Sequence, residues 1–160
     1  MSPDKEKIMR FYQVSYSSII PAPPADVHGV IADYKVGHPA ILPRPYFGDL
    51  TVEAGGFGAG SIIRFPMEVM GVKVEYHMDV TEPEPGRLLR EKDRATGIYT
   101  DFSFKPHANG SQTELTFTTY MPQKPGLGGL IEKWMTPPIM RRVYKQEMEN
   151  ITAYLQREKA

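Results

Sequence analysis

Glu147 is the residue of this sequence that fits worst with a purely structural role. At about 100° per residue it falls among Met140, Val143, Tyr144 and Ile151, near the middle of an apolar helical stripe. A dry, unpaired carboxylate there is costly, so it must reach a partner, water or a ligand. Burial raises the pKa of such a group, which is how a general acid or base working near neutrality is made. Two readings follow: a structural pair or helix end emerging at a rim, or an acid lining a cavity. His38, in a proline-bounded segment, is the second candidate for moving protons; a satisfied loop histidine is the plainer account of it. Tyr76, Thr100 and Thr119 fall on strand faces otherwise filled by Phe65, Met67, Met78, Phe102 and Phe117. With Tyr144 they could orient a ligand in a mostly apolar pocket, although tyrosine and threonine also favour strands for reasons of shape.

Other chemistries find little support. The four histidines, His28, His38, His77 and His107, form no i, i+4 pair and no HExxH pattern, so no metal or other cofactor is expected. There is no cysteine and no Gly-x-Ser-x-Gly elbow, so the usual nucleophile signatures are missing. The run Gly55-Gly56-Phe57-Gly58-Ala59-Gly60 has the glycines of a phosphate loop, but no helix and no lysine follow it; it reads as a turn between strands. Arg90, Lys92 and Arg94 alternate onto one strand face and read as a solvated outer ridge, too small for nucleic acid.

The elements that must position these residues are legible from periodicity. A β-prone run from Arg10 to Ile20 stops at Pro21-Ala22-Pro23-Pro24, and Pro24 opens a helix carrying Val27, Val30, Ile31 and Tyr34. Gly29 within it suggests close packing on a sheet, and a second helical turn is predicted over His38 to Leu42. A strand is expected from Tyr46 to Glu53. Ser61 to Val80 reads as a hairpin turning at Met70-Gly71, so that Val69 faces Val72, Met67 faces Val74, Phe65 faces Tyr76 and Ile63 faces Met78. A one-residue slip would scramble that segregation. Further strands are expected over Arg87–Asp93, Ile98–Lys105 and Thr113–Met121, with a turn over Glu82–Gly86.

The chain closes with two apolar helical runs. Leu127, Leu130, Ile131, Trp134 and Met135 form the first; Met140, Val143, Tyr144, Met148, Ile151, Tyr154 and Leu155 form the second. Thr136-Pro137-Pro138 between them predicts a cap and restart, giving a short helix and then a long one whose stripe must press against the sheet.

At 160 residues, one domain over 10–157 is expected after a loose lead-in over 1–9. Nineteen basic residues balance 19 acidic ones, so no global field favours nucleic acid or an anionic membrane. The first ten residues hold no signal-peptide core and no run approaches the roughly 18 apolar residues of a membrane span, so a cytoplasmic protein without stable membrane insertion is expected.

The stretch from Ile20-Pro21-Ala22-Pro23-Pro24-Ala25-Asp26-Val27 through Asp33-Tyr34 and Leu42-Pro43 resembles the opening of the START-like (SRPBCC) superfamily. The glycine-rich turn before the hairpin, the Val80-to-Leu88 segment and the last helix resemble its polyketide cyclase/dehydrase-type branch. The resemblance covers residues 10 to 156 and implies an α+β helix-grip fold. In it a curved antiparallel sheet of about seven strands wraps a long C-terminal helix, with two short helices after the first strand. It also implies a cavity for an apolar small molecule, and it transfers no catalytic set. The expectation is a carrier or sensor binding a small hydrophobic or aromatic molecule through Phe65, Met67, Tyr76, Met78, Thr100, Phe102, Phe117, Thr119, Tyr144 and Glu147. The alternative is a cyclase or dehydratase acting on a polyketide-like or other carbonyl substrate, with Glu147 or His38 moving protons. A third reading is an accessory protein that docks a partner; a homodimer stays open as an assembly state.

Overall fold

The computed structural model describes residues 9–160. Their order is β1 (Phe11–Ile20), α1 (Pro24–Ala32), α2 (Gly37–Ile41), β2 (Thr51–Ala54), β3 (Ile62–Val69), β4 (Val72–Glu84), β5 (Leu88–Asp93), β6 (Tyr99–His107), β7 (Gln112–Pro122) and α3 (Gly126–Glu158). All but Met9 of the lead-in expected over 1–9 lies outside the described residues. The strands form one antiparallel sheet in the order β1-β7-β6-β5-β4-β3-β2. First and last strands pair through ten successive residues, Phe11 with Pro122 to Ile20 with Thr113, which seats the start of α3 beside β1. Here is the α+β helix-grip architecture, with α3 held against the sheet and α1 and α2. No helix among the described residues is long and apolar enough to cross a membrane.

The core joins one face of the sheet to the second half of α3. Val14, Ile63, Leu89, Leu115 and Phe117 are fully buried with Val143 and Ile151, and Phe104 and Met148 nearly so. The β3–β4 hairpin has the register its two-face pattern demands, Ile63 opposite Met78 through Val69 opposite Val72. Its turn places Met70 at φ 52° and Gly71 at φ 78°; two left-handed residues in a two-residue loop match the twist of the flanking strands.

Four expectations are corrected. No restart occurs at Thr136, because α3 runs unbroken through Pro137 and Pro138. The prolines remove the N–H groups that would bond the carbonyls of Lys133 and Trp134, both on exposed residues, where water can serve those carbonyls. Each internal proline costs about 3 kcal/mol. Burying a large apolar side chain returns about 1.5–3 kcal/mol, and Val143, Met148, Ile151 and Leu155 supply four, which keeps the downstream helix in place. The first apolar run lies at the surface: Leu127 and Trp134 are 78% and 76% exposed. Of the strand expected over Tyr46–Glu53, only Thr51 onward is β2. Tyr46 to Gly48 still run beside β3, but Pro66 has no N–H to give, and Gly48 packs where a Cβ would lie 2.3 Å from the Pro66 ring. Lastly, Gly29 faces open space, not the sheet, and the predicted turn at Glu82 comes later because β4 continues to Glu84 across a bulge.

Candidate functional site

Strand parity brings the candidate residues together. Phe65 and Met67 from β3, Tyr76 and Met78 from β4, Thr100 and Phe102 from β6, and Phe117 and Thr119 from β7 all line one cavity. Tyr144 and Glu147 close it from α3, one turn apart, and His38 reaches it from α2. The cavity measures about 60 Å³. A second space of about 370 Å³ opens beyond it, between the β3–β4 hairpin and α3. Met67, Tyr76, Met121 and Met140 line both, so the two spaces read as an outer vestibule and a smaller inner chamber, each mainly apolar, with Thr100, Thr119, Tyr144, Glu91 and Glu147 added in the inner one.

The sequence reading missed Glu91, and it governs the chamber's electrostatics. It sits on β5 with its side chain inward, 4% exposed. The signal was available: if Arg90, Lys92 and Arg94 face out, then Leu89, Glu91 and Asp93 must face in. The Tyr34 hydroxyl donates to Glu91 Oε1 at 2.7 Å. His38 Nε2 lies 3.8 Å from the same oxygen, and its ring stacks on Tyr34 with centroids 4.8 Å apart. His38 Nδ1 is 2.7 Å from the carbonyl oxygen of Ile31, an atom that can only accept. Nδ1 must therefore carry a proton, and a second proton at Nε2 would set an imidazolium against Glu91. His38 is thus a buried network residue, not a loop histidine.

The glycine-rich loop holds this network in place, as a turn between strands and not as a phosphate site. Tyr34 N–H donates to the Gly56 carbonyl at 3.0 Å, and Gly58 N–H to the Ala32 carbonyl at 2.9 Å. Gly56 has φ 124°, a backbone conformation that residues with a Cβ rarely adopt, so glycine suits the loop where it clasps the end of α1.

Glu147 is buried too, at 4% exposure, yet its carboxyl engages no hydrogen bond or ion pair among the described residues. Burial, then the charge of Glu91, pushes its pKa well above the usual carboxylate range. Beyond Tyr144, a hydroxyl chain runs from Thr100 to Thr119 at 2.7 Å and on to Tyr144. Burial raises the Tyr144 phenol strongly, the Thr119 hydrogen bond opposes this, and Glu147 adds to it. Three hydroxyls share two bonds, which leaves one proton for a further acceptor. Tyr76 has no such tie among the described residues, and burial followed by the charge of Asp93 raises its pKa.

The supposed basic ridge is mostly neutralised. Arg90 grips Asp101 with two bonds of 2.6 and 2.8 Å and lies 4.5 Å from the centre of the Tyr99 ring. Arg94 grips Asp79 in the same way. Among the described residues no group of three or more histidine or acidic side chains is arranged to hold a metal ion.

The grip of sheet on helix around an inner cavity defines a START-like (SRPBCC) domain. The chain belongs to the polyketide cyclase / dehydrase and lipid transport family, whose profile it matches over residues 12–156. Among solved structures it is similar to the KanY protein in solution, at 23% identity and a TM-score of 0.79, covering 92% of this chain and 99% of that one. It is also similar to the Zhui aromatase/cyclase of Streptomyces sp. R1128, at 16% identity and a TM-score of 0.72, covering 94% and 97%. A norcoclaurine synthase point mutant of Thalictrum flavum, bound to a transition-state analogue, shares 15% identity with a TM-score of 0.70, covering 95% and 98%. Identities this low carry the fold alone. A search of curated proteins returns no significant match.

Proposed function

We propose that the protein binds a small, largely apolar molecule whose body fills the vestibule and whose polar end enters the chamber, as a carrier or sensor. One observation carries this reading: the two spaces share the walls Met67, Tyr76, Met121 and Met140, and the inner one adds the buried polar groups Thr119, Tyr144 and Glu147 to a mainly apolar lining. Apolar area supplies affinity in such a site and a few convergent polar groups supply orientation. Native mass spectrometry of freshly purified protein tests it. A reproducible non-covalent adduct that vanishes on denaturation supports the binder. A clean apo mass, together with no binding of added apolar probes, removes it.

A second reading, a cyclase or dehydratase acting on a carbonyl substrate, is favoured by the unpartnered acid. Ionised Glu147 would take the proton α to a carbonyl, and the free Tyr76 hydroxyl would donate to the enolate oxygen as charge builds there. Protonated Glu147 would then return the proton to a leaving hydroxyl, expelling water. Turnover lost in Glu147→Gln with folding intact supports this reading, whereas turnover retained in that variant excludes Glu147 as the base.

A further inference from the structure

The charge inventory of the chamber restricts what can enter it. Among the lining residues, Glu91 and Glu147 are acidic and none is lysine or arginine. The one group able to become cationic, His38, is committed to Glu91 at 3.8 Å. That leaves Glu147, 96% buried by its 4% exposure, as a carboxyl facing the cavity without a counter-charge or a hydrogen-bond partner among the described residues. No lysine or arginine lines the chamber to compensate a carboxylate or phosphate brought out of water, so an anion would have only hydroxyl donors to set against two acids.

Resting on the reading of the cavity as a ligand site, we propose that the ligand is an amine: its ammonium pairs with Glu147 in the inner chamber, and its aryl or alkyl body lies along Met67, Met121 and Met140. A compact head suits a chamber of about 60 Å³, and the apolar tail suits the 370 Å³ beyond it. Charge balances in a defined way. In the empty chamber burial, then the charge of Glu91, shifts Glu147 toward its neutral form. An ammonium that enters displaces that proton, so one proton leaves to solvent and an ammonium–carboxylate pair stays behind. The groups facing Glu147 are His38 from α2, Glu91 from β5, Tyr76 from β4, Tyr34 after α1, and Tyr144 on its own helix. Of these, Glu91 disfavours a second negative charge most directly.

Four probes test the proposal: 2-phenylethylamine, 2-phenylethanol, phenylacetate and the neutral dye N-phenyl-1-naphthylamine. Binding is measured by calorimetry in two buffers of different ionisation enthalpy and located by amide shifts at Thr100, Phe117 and Tyr144. The amine is expected to bind about tenfold or more tighter than the alcohol, with phenylacetate weakest. One proton should leave per amine bound and none per alcohol. Glu147→Gln, an isosteric change whose fold a melt verifies, should bring the amine down to the alcohol's affinity and leave the alcohol unchanged. An alcohol or carboxylate that matches the amine, an amine preference that survives Glu147→Gln, or the absence of proton release overturns the amine assignment while the cavity stands. Should none of the four, dye included, shift those amides, the ligand-site reading falls and the amine assignment falls with it.

Discussion

The corner around Asp93 and the chamber around Glu147 each bury a carboxyl, and they treat it in opposite ways. Asp93, 2% exposed at the end of β5, accepts the His77 N–H at 3.0 Å, the Thr96 N–H at 2.8 Å and the Thr96 hydroxyl at 2.7 Å. Burial alone would raise its pKa, but these hydrogen bonds outweigh burial and hold it below the ordinary aspartate value. Glu147 has none of them, and burial lifts it instead. The difference separates use from structure: Asp93 ties the β5–β6 turn to β4, whereas Glu147 contributes nothing to the fold that a neutral side chain could not. Residues that a fold leaves unsatisfied at such cost are where function is to be sought.

Asp93→Ala gives the largest expected effect. It removes three bonds and leaves the His77 and Thr96 N–H groups without their acceptor, so urea unfolding should show a loss of about 3–5 kcal/mol. A loss below about 1 kcal/mol would mean that water replaces the carboxylate, and the contrast with Glu147 would collapse. Glu147→Gln should move the other way, raising stability near neutral pH, because the folded state no longer has to suppress an ionisation that the unfolded chain undergoes freely. A destabilised Glu147→Gln variant would show that the carboxyl has a structural partner after all.

The two acids also leave opposite marks on the pH profile. Asp93 has a depressed folded value, so its contribution is present above the unfolded aspartate pKa and is lost as pH falls through the folded one. Glu147 has a raised folded value, so stability is highest below the unfolded glutamate pKa and is lost as pH rises toward the folded value. Melting temperature against pH should therefore fall on both sides. Asp93→Asn should flatten the acid limb alone and Glu147→Gln the neutral-to-alkaline limb alone. Both limbs unchanged in both variants would assign the pH dependence elsewhere.

The same contrast explains how much of the molecule was legible in the sequence. Period-two alternation decides which side chains share a sheet face, so it groups Phe65, Met67, Tyr76, Met78, Thr100, Phe102, Phe117 and Thr119 by itself, and all of them line the chamber. Helical period placed Tyr144 and Glu147 beside them. Glu91 escaped because its three basic neighbours drew attention to the outer face, although the same alternation turns it inward. Tyr34 and Phe47 escaped for another reason: the helix and the strand on which periodicity set them stop at Ala32 and start only at Thr51, so loop contacts set their positions. The unbroken α3 was hidden by a local signal, since Thr136-Pro137-Pro138 has the chemistry of a cap while packing downstream decides the helix.

Thr119→Val carries the smallest expected effect and gives the finest test of where structure ends and site begins. Thr119 is 2% exposed and bonds both Thr100 and Tyr144, so its hydroxyl resembles the satisfied Asp93 more than the bare Glu147. Valine keeps the shape and removes both bonds, which should cost about 1–2 kcal/mol and leave the sheet register unchanged. If the hydroxyl chain only braces α3 on β6 and β7, ligand affinity should change less than about twofold, a span well inside 1.4 kcal/mol. If its remaining proton reaches the ligand, Tyr144 loses its anchor and affinity should fall together with stability. Measuring both on one variant sorts the hydroxyl chain into the scaffold with Asp93 or into the site with Glu147.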